Sequence, residues 1–183
     1  MSEMLDVVNE QDEVIGVESR DIIHEKGLLH REVHVLFYTP RGTMIFQRRS
    51  MKKASWPGHL IWAASGHVGS GKTYLETAQI ESKEETGLNI PLEDFHFIGQ
   101  VRRLAQVDPQ DGIINNSIRM VYTYEFLGKL EDLQIEPEEG DGFVEYSLKD
   151  MLNLPESEKK KFVPSTFNDQ YQGFIRQILE MII

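Results

Sequence analysis

"GHVGSGKTYLETAQIESKEETGL", Gly66 to Leu88, can be read in two frames, and the choice between them decides the fold. In the first frame, "GHVGSGKT" (Gly66–Thr73) matches G-x-x-x-x-G-K-S/T, the loop whose backbone amides cradle nucleotide phosphates. Such a loop needs a parallel sheet and a downstream apolar strand that ends in Asp to hold magnesium. The downstream strands "HFIGQV" and "RMVYTYEF" have no such ending. In the second frame the helix after the loop carries the information. Thr73 with Glu76 makes a capping box, and Gly87 is a natural stop, so a helix is expected over 73–86. Glu81, Glu84 and Glu85 fall at i, i+3 and i+4, which puts three carboxylates on one face. They sit in the last turns, where the helix dipole disfavours anions. Like charges at i,i+4 cost a further ~0.2–0.5 kcal/mol. A divalent cation reverses both penalties, because hard cations take carboxylate oxygens. The plainer alternative is a solvated acidic face.

The rest of the composition narrows the class. The 183 residues suit one domain with a real core, with 40% hydrophobic and 27% charged residues. Cys is absent, which excludes disulfides, zinc–thiolate sites and a Cys nucleophile. The net charge of −11 argues against nucleic-acid binding and against a basic membrane-surface role. No window approaches the ~20 apolar residues of a membrane span, and the N-terminus lacks a signal-peptide pattern. A cytoplasmic location is the expectation. An acidic protein can still act on anionic phosphates when divalent metals bridge the two.

Along the chain, Leu5–Val8 and Val14–Val17 flank "NEQDE" as a short hairpin. Val33–Tyr38 and Met44–Gln47 flank a turn at Pro40–Gly42, and "KKASWPG" is a loop. Leu60–Ser65 reads as one short buried strand. "DFHFIGQVRRL" and "SIRMVYTYEFL" read as strands around the polar loop "AQVDPQDGIINN", and "GFVEYS" as another. "LKDMLNL" and 168–183 read as helices, the last with Phe174, Ile178 and Ile182 on one face. Strands around a central helix, with a further helix at the end, imply an α/β or α+β domain. Trp56, Trp62, Tyr122 and Phe126 read first as packing residues, with base stacking or the lining of an apolar substrate pocket as the alternatives.

In its second frame Gly66–Leu88 resembles the Nudix box, G-x5-E-x7-R-E-U-x-E-E-x-G-U, where U is aliphatic. Gly66, Glu81, Glu84, Glu85, Gly87 and Leu88 fall on the motif. "LDVVNEQDEVIG", "HEKGLLHREVHV", "QRRS" and "WPG…SGHV" extend the resemblance over roughly Leu5–Leu152, closest to the isopentenyl-diphosphate-isomerase-like subgroup. The resemblance implies a single MutT-like domain over 1–183, an α/β/α sandwich with a mixed sheet and a central catalytic helix. It implies a hydrolase of a nucleoside diphosphate-type or other organic diphosphate, by water attack at phosphorus. Glu81, Glu84 and Glu85 would be catalytic and would hold Mg2+ or Mn2+. Gly66 would let the backbone approach the phosphates. The expected partner is a small-molecule diphosphate, with no nucleic acid and no membrane, and a homodimer is the assembly allowed for.

Three positions depart from the box. Lys72 stands where the first Glu belongs, Ile80 replaces the Arg, and Ser82 replaces an aliphatic residue. Lys72 is a candidate substrate-binding cation, with a solvated loop residue as the plainer reading. The departures raise a second reading, a catalytically weak or inactive ligand-binding protein of the same fold. A third is isomerase. In that subgroup a metal is held by three His and two Glu, with a catalytic Cys. His24, His30 and His67 lie near the matching places and form a candidate second metal cluster. Ser65 stands at the Cys position, and Asn115 and Ser117 at the two glutamates. His34, His59 and His96 read as strand or loop residues.

Overall fold

The structure, a computed structural model, describes residues 2–110 and 112–182. Two strands, β1 (Met4–Val8) and β2 (Val14–Ser19), form an antiparallel hairpin, as the alternation around "NEQDE" implies. Helix α1 (Arg20–Lys26) follows at once and was not expected. Ser19 caps it by accepting from the Ile22 amide, and Gly27 ends it at φ 62°.

The main sheet has seven strands among the described residues. Its centre is β3 (His30–Tyr38), which runs parallel to β8 (Ile114–Glu125). β8 pairs antiparallel with β7 (His96–Val107). On the other side, β3 and β4 (Thr43–Arg49) pair only at Phe37↔Ile45 and Tyr38↔Met44, then splay apart. The wedge between them is filled by β5 (Leu60–Trp62), paired to β4, and β6 (Ala64–His67), paired to β3. The expected single strand Leu60–Ser65 is therefore two, broken at Ala63 where the chain crosses from one neighbour to the other. β9 (Gly140–Ser147) closes the far edge of β4.

Helices cover both faces. α2 (Tyr74–Thr86) begins at the expected capping box and ends at Gly87, φ 76°. α5 (Asp169–Met181) starts with Asn168 accepting from the Tyr171 amide, inside the expected 168–183; Ile183 lies outside the described residues. Two short helices, α3 (Leu148–Met151) and α4 (Glu156–Lys159), precede it. The period-2 alternation of β3 divides the core. Val33, Val35 and Phe37 join Ala78 of α2 and Ile90 in one cluster. Leu36 and Tyr38 join Trp62, Tyr171, Ile175 and Ile178 in the other. Truncating fully buried Ile175 or Ile178 to Ala is worth about 2–5 kcal/mol of stability. The arrangement is an α/β/α sandwich on a mixed sheet. No helix among the described residues is long and apolar enough to cross a membrane.

Candidate active site

The splayed β3–β4 pair decides where the site lies. β6 enters the wedge and places Ser65, Gly66 and His67 beneath the last turns of α2. A broad cleft opens there, lined by Glu81, Glu84 and Glu85 of α2 and by Ser65, Gly66 and His67 of β6. The three glutamates sequence reasoning singled out are therefore brought together on one wall.

Their environments differ. Glu85 is buried, and its Oε2 accepts from the Ser65 amide at 2.7 Å. Burial, then the Glu81 charge, push its pKa well above the ordinary carboxylate value, with the Ser65 hydrogen bond opposing. Glu81 is half-buried against the backbone of Gly66; a Cβ at residue 66 would lie 2.1 Å from its Cδ and Oε1. Burial first, then the neighbouring Glu84, push Glu81 up to about 8. Glu84 is exposed. Gly66 thus leaves room for the Glu81 carboxylate, a role beside the approach to phosphates that the family resemblance implies.

Ile80 is partly buried and lines the same cleft, so no guanidinium extends from α2 toward the glutamates. Arg20 is the cation that acts on Glu81 and Lys53 the one that acts on Glu85. Ser82 is fully buried, with its hydroxyl unpartnered.

The loop 66–73 is closed to phosphate. The amides of Val68, Ser70 and Lys72 donate to the carbonyls of Arg31, Met4 and Gly69. The Gly71 amide and the Ser70 hydroxyl donate to Asp6, and the Thr73 amide donates to Glu76. Asp6 of β1 occupies the position an anion would need. Lys72 is exposed and is not among the residues lining the cleft. Its side chain lies against Gly69 of its own loop.

Beside the glutamates lies a histidine trio. The ligand atoms of His24 (α1), His30 (start of β3) and His67 (end of β6) lie within 4.8 Å of one another. His24 Nε2 and His67 Nε2 are 3.1 Å apart. His24 Nδ1 faces the Ile114 carbonyl at 3.4 Å, and His30 Nδ1 the Leu28 carbonyl at 3.0 Å. With Nδ1–H donated outward, Nε2 is left unprotonated and available as a ligand. His30 is fully buried and its Nε2 has no hydrogen-bond partner. Burial pushes the His67 pKa down to about 3 against the opposing pull of Glu32. His24 is lowered by burial and then by His30. Converging imidazole nitrogens suit a transition metal.

Sequence reasoning missed the polar network behind this trio. Glu32 of β3 accepts from Ser117 Oγ at 2.8 Å and from Arg119 Nε. Burial raises the Glu32 pKa, but Arg119, His30 and His67 outweigh it and hold the carboxyl well below its ordinary value. His34, also in β3, hydrogen-bonds Tyr171 of α5 through Nδ1 at 2.5 Å. Burial and then Arg119 push it down to about 3. His59 hydrogen-bonds the Pro57 carbonyl within its loop, and His96 is exposed at the start of β7. Trp62 and Phe126 are core residues, whereas Trp56 lines the cleft and donates from Nε1 to Asp108 at 3.1 Å. Trp56 holds φ at 52°, an uncommon value for a bulky residue.

Comparison with known proteins agrees with this geometry. The family model described as NUDIX domain matches residues 28–166. Nudix hydrolase 3 of Arabidopsis thaliana is 32% identical over 174 residues, 92% of this chain and 22% of that protein. An isopentenyl-diphosphate Delta-isomerase of Serratia proteamaculans is 32% identical over 93 residues, 51% of this chain and 52% of that one. This chain thus spans from about a fifth to about half of the length of these two curated relatives. Among solved structures, DR0079 of Deinococcus radiodurans superposes with a TM-score of 0.69 at 22% identity, covering 96% of this chain and 98% of that one. A MutT protein of Methanosarcina mazei Go1 superposes with a TM-score of 0.62 at 20% identity, covering 82% and 95%. The structures speak for the fold alone. The matched domain and the glutamates on α2 together place the chain in the Nudix family.

Proposed function

We propose that this protein hydrolyses a phosphoric anhydride bond in a small organic diphosphate, with Mg2+ or Mn2+ held by Glu81, Glu84 and Glu85. The observation that carries the reading is the packing of the Glu81 carboxylate against Gly66 while the Ser65 amide fixes Glu85. Two crowded carboxylates with raised pKa values are an unfavourable arrangement unless a cation joins them. A bound divalent ion would neutralise the diphosphate and activate the attacking water. The chain's own residues orient that chemistry. The Ser65 amide fixes one oxygen of Glu85, Gly66 leaves room for Glu81, and Arg49 and Lys53 bring positive charge into the same cleft. Cations at that wall suit phosphate oxygens that the glutamates repel.

The naming of related proteins as Nudix hydrolases supports the reaction class. A panel of nucleoside, sugar, prenyl and coenzyme diphosphates, scored for phosphate release with Mg2+ or Mn2+, tests it. Turnover that EDTA abolishes is the expected result. Ligand-dependent thermal shifts without turnover on any compound would instead establish the binding-protein reading.

The same reading extends to His24, His30 and His67 as a second metal-holding group. The buried, unpartnered Nε2 of His30 supports it, because an orphaned polar atom in a core costs about 1–3 kcal/mol. Isomerase chemistry has less support, because Ser65, Asn115 and Ser117 offer neither the thiol nor the two carboxylates that activity uses.

A further inference from the structure

Glu32 is a buried carboxylate whose two oxygens have different surroundings. Oε2 accepts from Ser117 Oγ at 2.8 Å and from Arg119 Nε, so its position is fixed from β8. Oε1 faces the trio instead, 3.8 Å from His30 Nε2 and 3.6 Å from His67 Nε2. These separations are too long for hydrogen bonds. Two donors at about 2.0–2.2 Å from one tetrahedral ion lie roughly 3.3–3.6 Å apart. The oxygen therefore stands near the distance at which it could share an ion with His30 and His67, while the tight group of ligand atoms within 4.8 Å is the three imidazoles. A role as counter-ion to Arg119 accounts for Oε2 and leaves Oε1 unexplained. It also leaves His30 Nε2 buried with nothing to bond.

We propose that Glu32 is the fourth ligand of a transition-metal site formed with His24, His30 and His67, and that Ser117 and Arg119 hold its carboxylate so that Oε1 points at the imidazoles. This rests on the reading of the trio as a metal-holding group and adds the ligand and the metal class. Three imidazoles and one carboxylate select Zn2+, Mn2+ or Fe2+ over Mg2+, which favours all-oxygen sites. His24, His67 and Glu32 also line the cleft, so the ion would lie at its wall.

The test uses the full chain, stripped with EDTA and titrated with Co2+ as a spectroscopic stand-in. Mg2+ is held in excess to saturate the carboxylates of α2. Wild type is expected to take one equivalent of Co2+, with a visible spectrum of imidazole–carboxylate coordination. The Glu84→Gln/Glu85→Gln variant should keep that equivalent. Glu32→Gln should weaken Co2+ binding at least tenfold and change the spectrum, with the fold checked by circular dichroism. Because Glu32→Gln takes the carboxylate counter-ion from buried Arg119, Glu32→Gln/Arg119→Gln is titrated beside it, with the same loss expected. A folded variant lacking Glu32 that binds Co2+ with wild-type affinity and spectrum would overturn the ligand assignment. A wild type that takes no Co2+ under these conditions would overturn the trio as well. Neither result depends on whether any diphosphate is hydrolysed, so failure of the hydrolase reading stays separable.

Discussion

The Glu81 carboxylate lies where a side chain on Gly66 would have to be: an ideal Cβ there is 2.1 Å from Cδ and Oε1 and 2.6 Å from Oε2. The glycine of β6 and the glutamate of α2 are therefore one feature, joined across the helix–sheet interface. Gly66→Ala should push the Glu81 carboxylate aside, since it is the movable end of a flexible side chain. The expected result is a loss of about tenfold or more in Mg2+ or Mn2+ affinity, with stability changed by less than about 1 kcal/mol. Isothermal titration and thermal melts on the same preparations separate the two effects. Wild-type metal affinity in Gly66→Ala would show that Glu81 is not a ligand.

The raised pKa of Glu81 makes metal-free stability depend on pH. A carboxyl with an ordinary value of 4.5 and a folded value of about 8 holds more protons folded than unfolded between those limits. Stability therefore falls as pH rises from about 4.5 to about 8. Glu85, raised in the same direction, adds to the slope. Glu81→Gln should stabilise the metal-free protein at pH 8 and flatten this dependence. Saturating Mg2+ or Mn2+ should flatten it in the wild type. Melts from pH 5 to 9 in EDTA read the outcome, and an unchanged slope in Glu81→Gln would refute the assignment.

Much of the scaffold could be read from local patterns. The capping box at Thr73, the stop at Gly87 and the three-glutamate face needed only α2 itself. Helix α1 was missed because seven residues with adjacent Ile22 and Ile23 show no helical period; Ser19 before it and Gly27 after it were the available signals. The break at Ala63 and the extension of β7 to Val107 depend on which strand pairs with which, and neither segment carries that information. Glu32 drew no attention in the sequence, because its partners Ser117 and Arg119 come from β8, more than eighty residues later. The phosphate-loop pattern of 66–73 carries no sign that Asp6 of β1 accepts from the Ser70 hydroxyl and the Gly71 amide.

That docking predicts how the loop responds to mutation. Lys72→Ala should change stability by less than about 0.5 kcal/mol, since the side chain is exposed. Asp6→Ala should cost about 1–3 kcal/mol, because it removes a buried carboxylate that accepts from the Ser70 hydroxyl and the Gly71 amide. ATP without metal should protect neither variant nor the wild type from thermal unfolding. A melting-temperature rise with ATP that Lys72→Ala removes would revive the phosphate-loop reading.

Ile80 offers the sharpest test of what limits catalysis. It lines the cleft and is only partly buried, so an arginine there can reach the glutamates without burying its charge alone. Burial is the main unfavourable influence on Glu81 and Glu85, followed by the Glu84 charge at Glu81 and the Glu81 charge at Glu85. A guanidinium beside them would lower both pKa values and fix their oxygens. Better-held carboxylates act mainly on the transition state, by positioning the metal and its water. Ile80→Arg should therefore raise kcat by roughly tenfold, about 1.4 kcal/mol of barrier, with KM changed far less. Adding Lys72→Glu should contribute nothing further, because that position lies outside the cleft lining. Steady-state kinetics on the best diphosphate of the panel, with thermal melts alongside, reads both effects. A well-folded Ile80→Arg with unchanged kcat would show that the Ser65 amide already orients Glu85 sufficiently. Activity in Ile80→Arg alone, against an inactive wild type, would assign the natural protein to ligand binding.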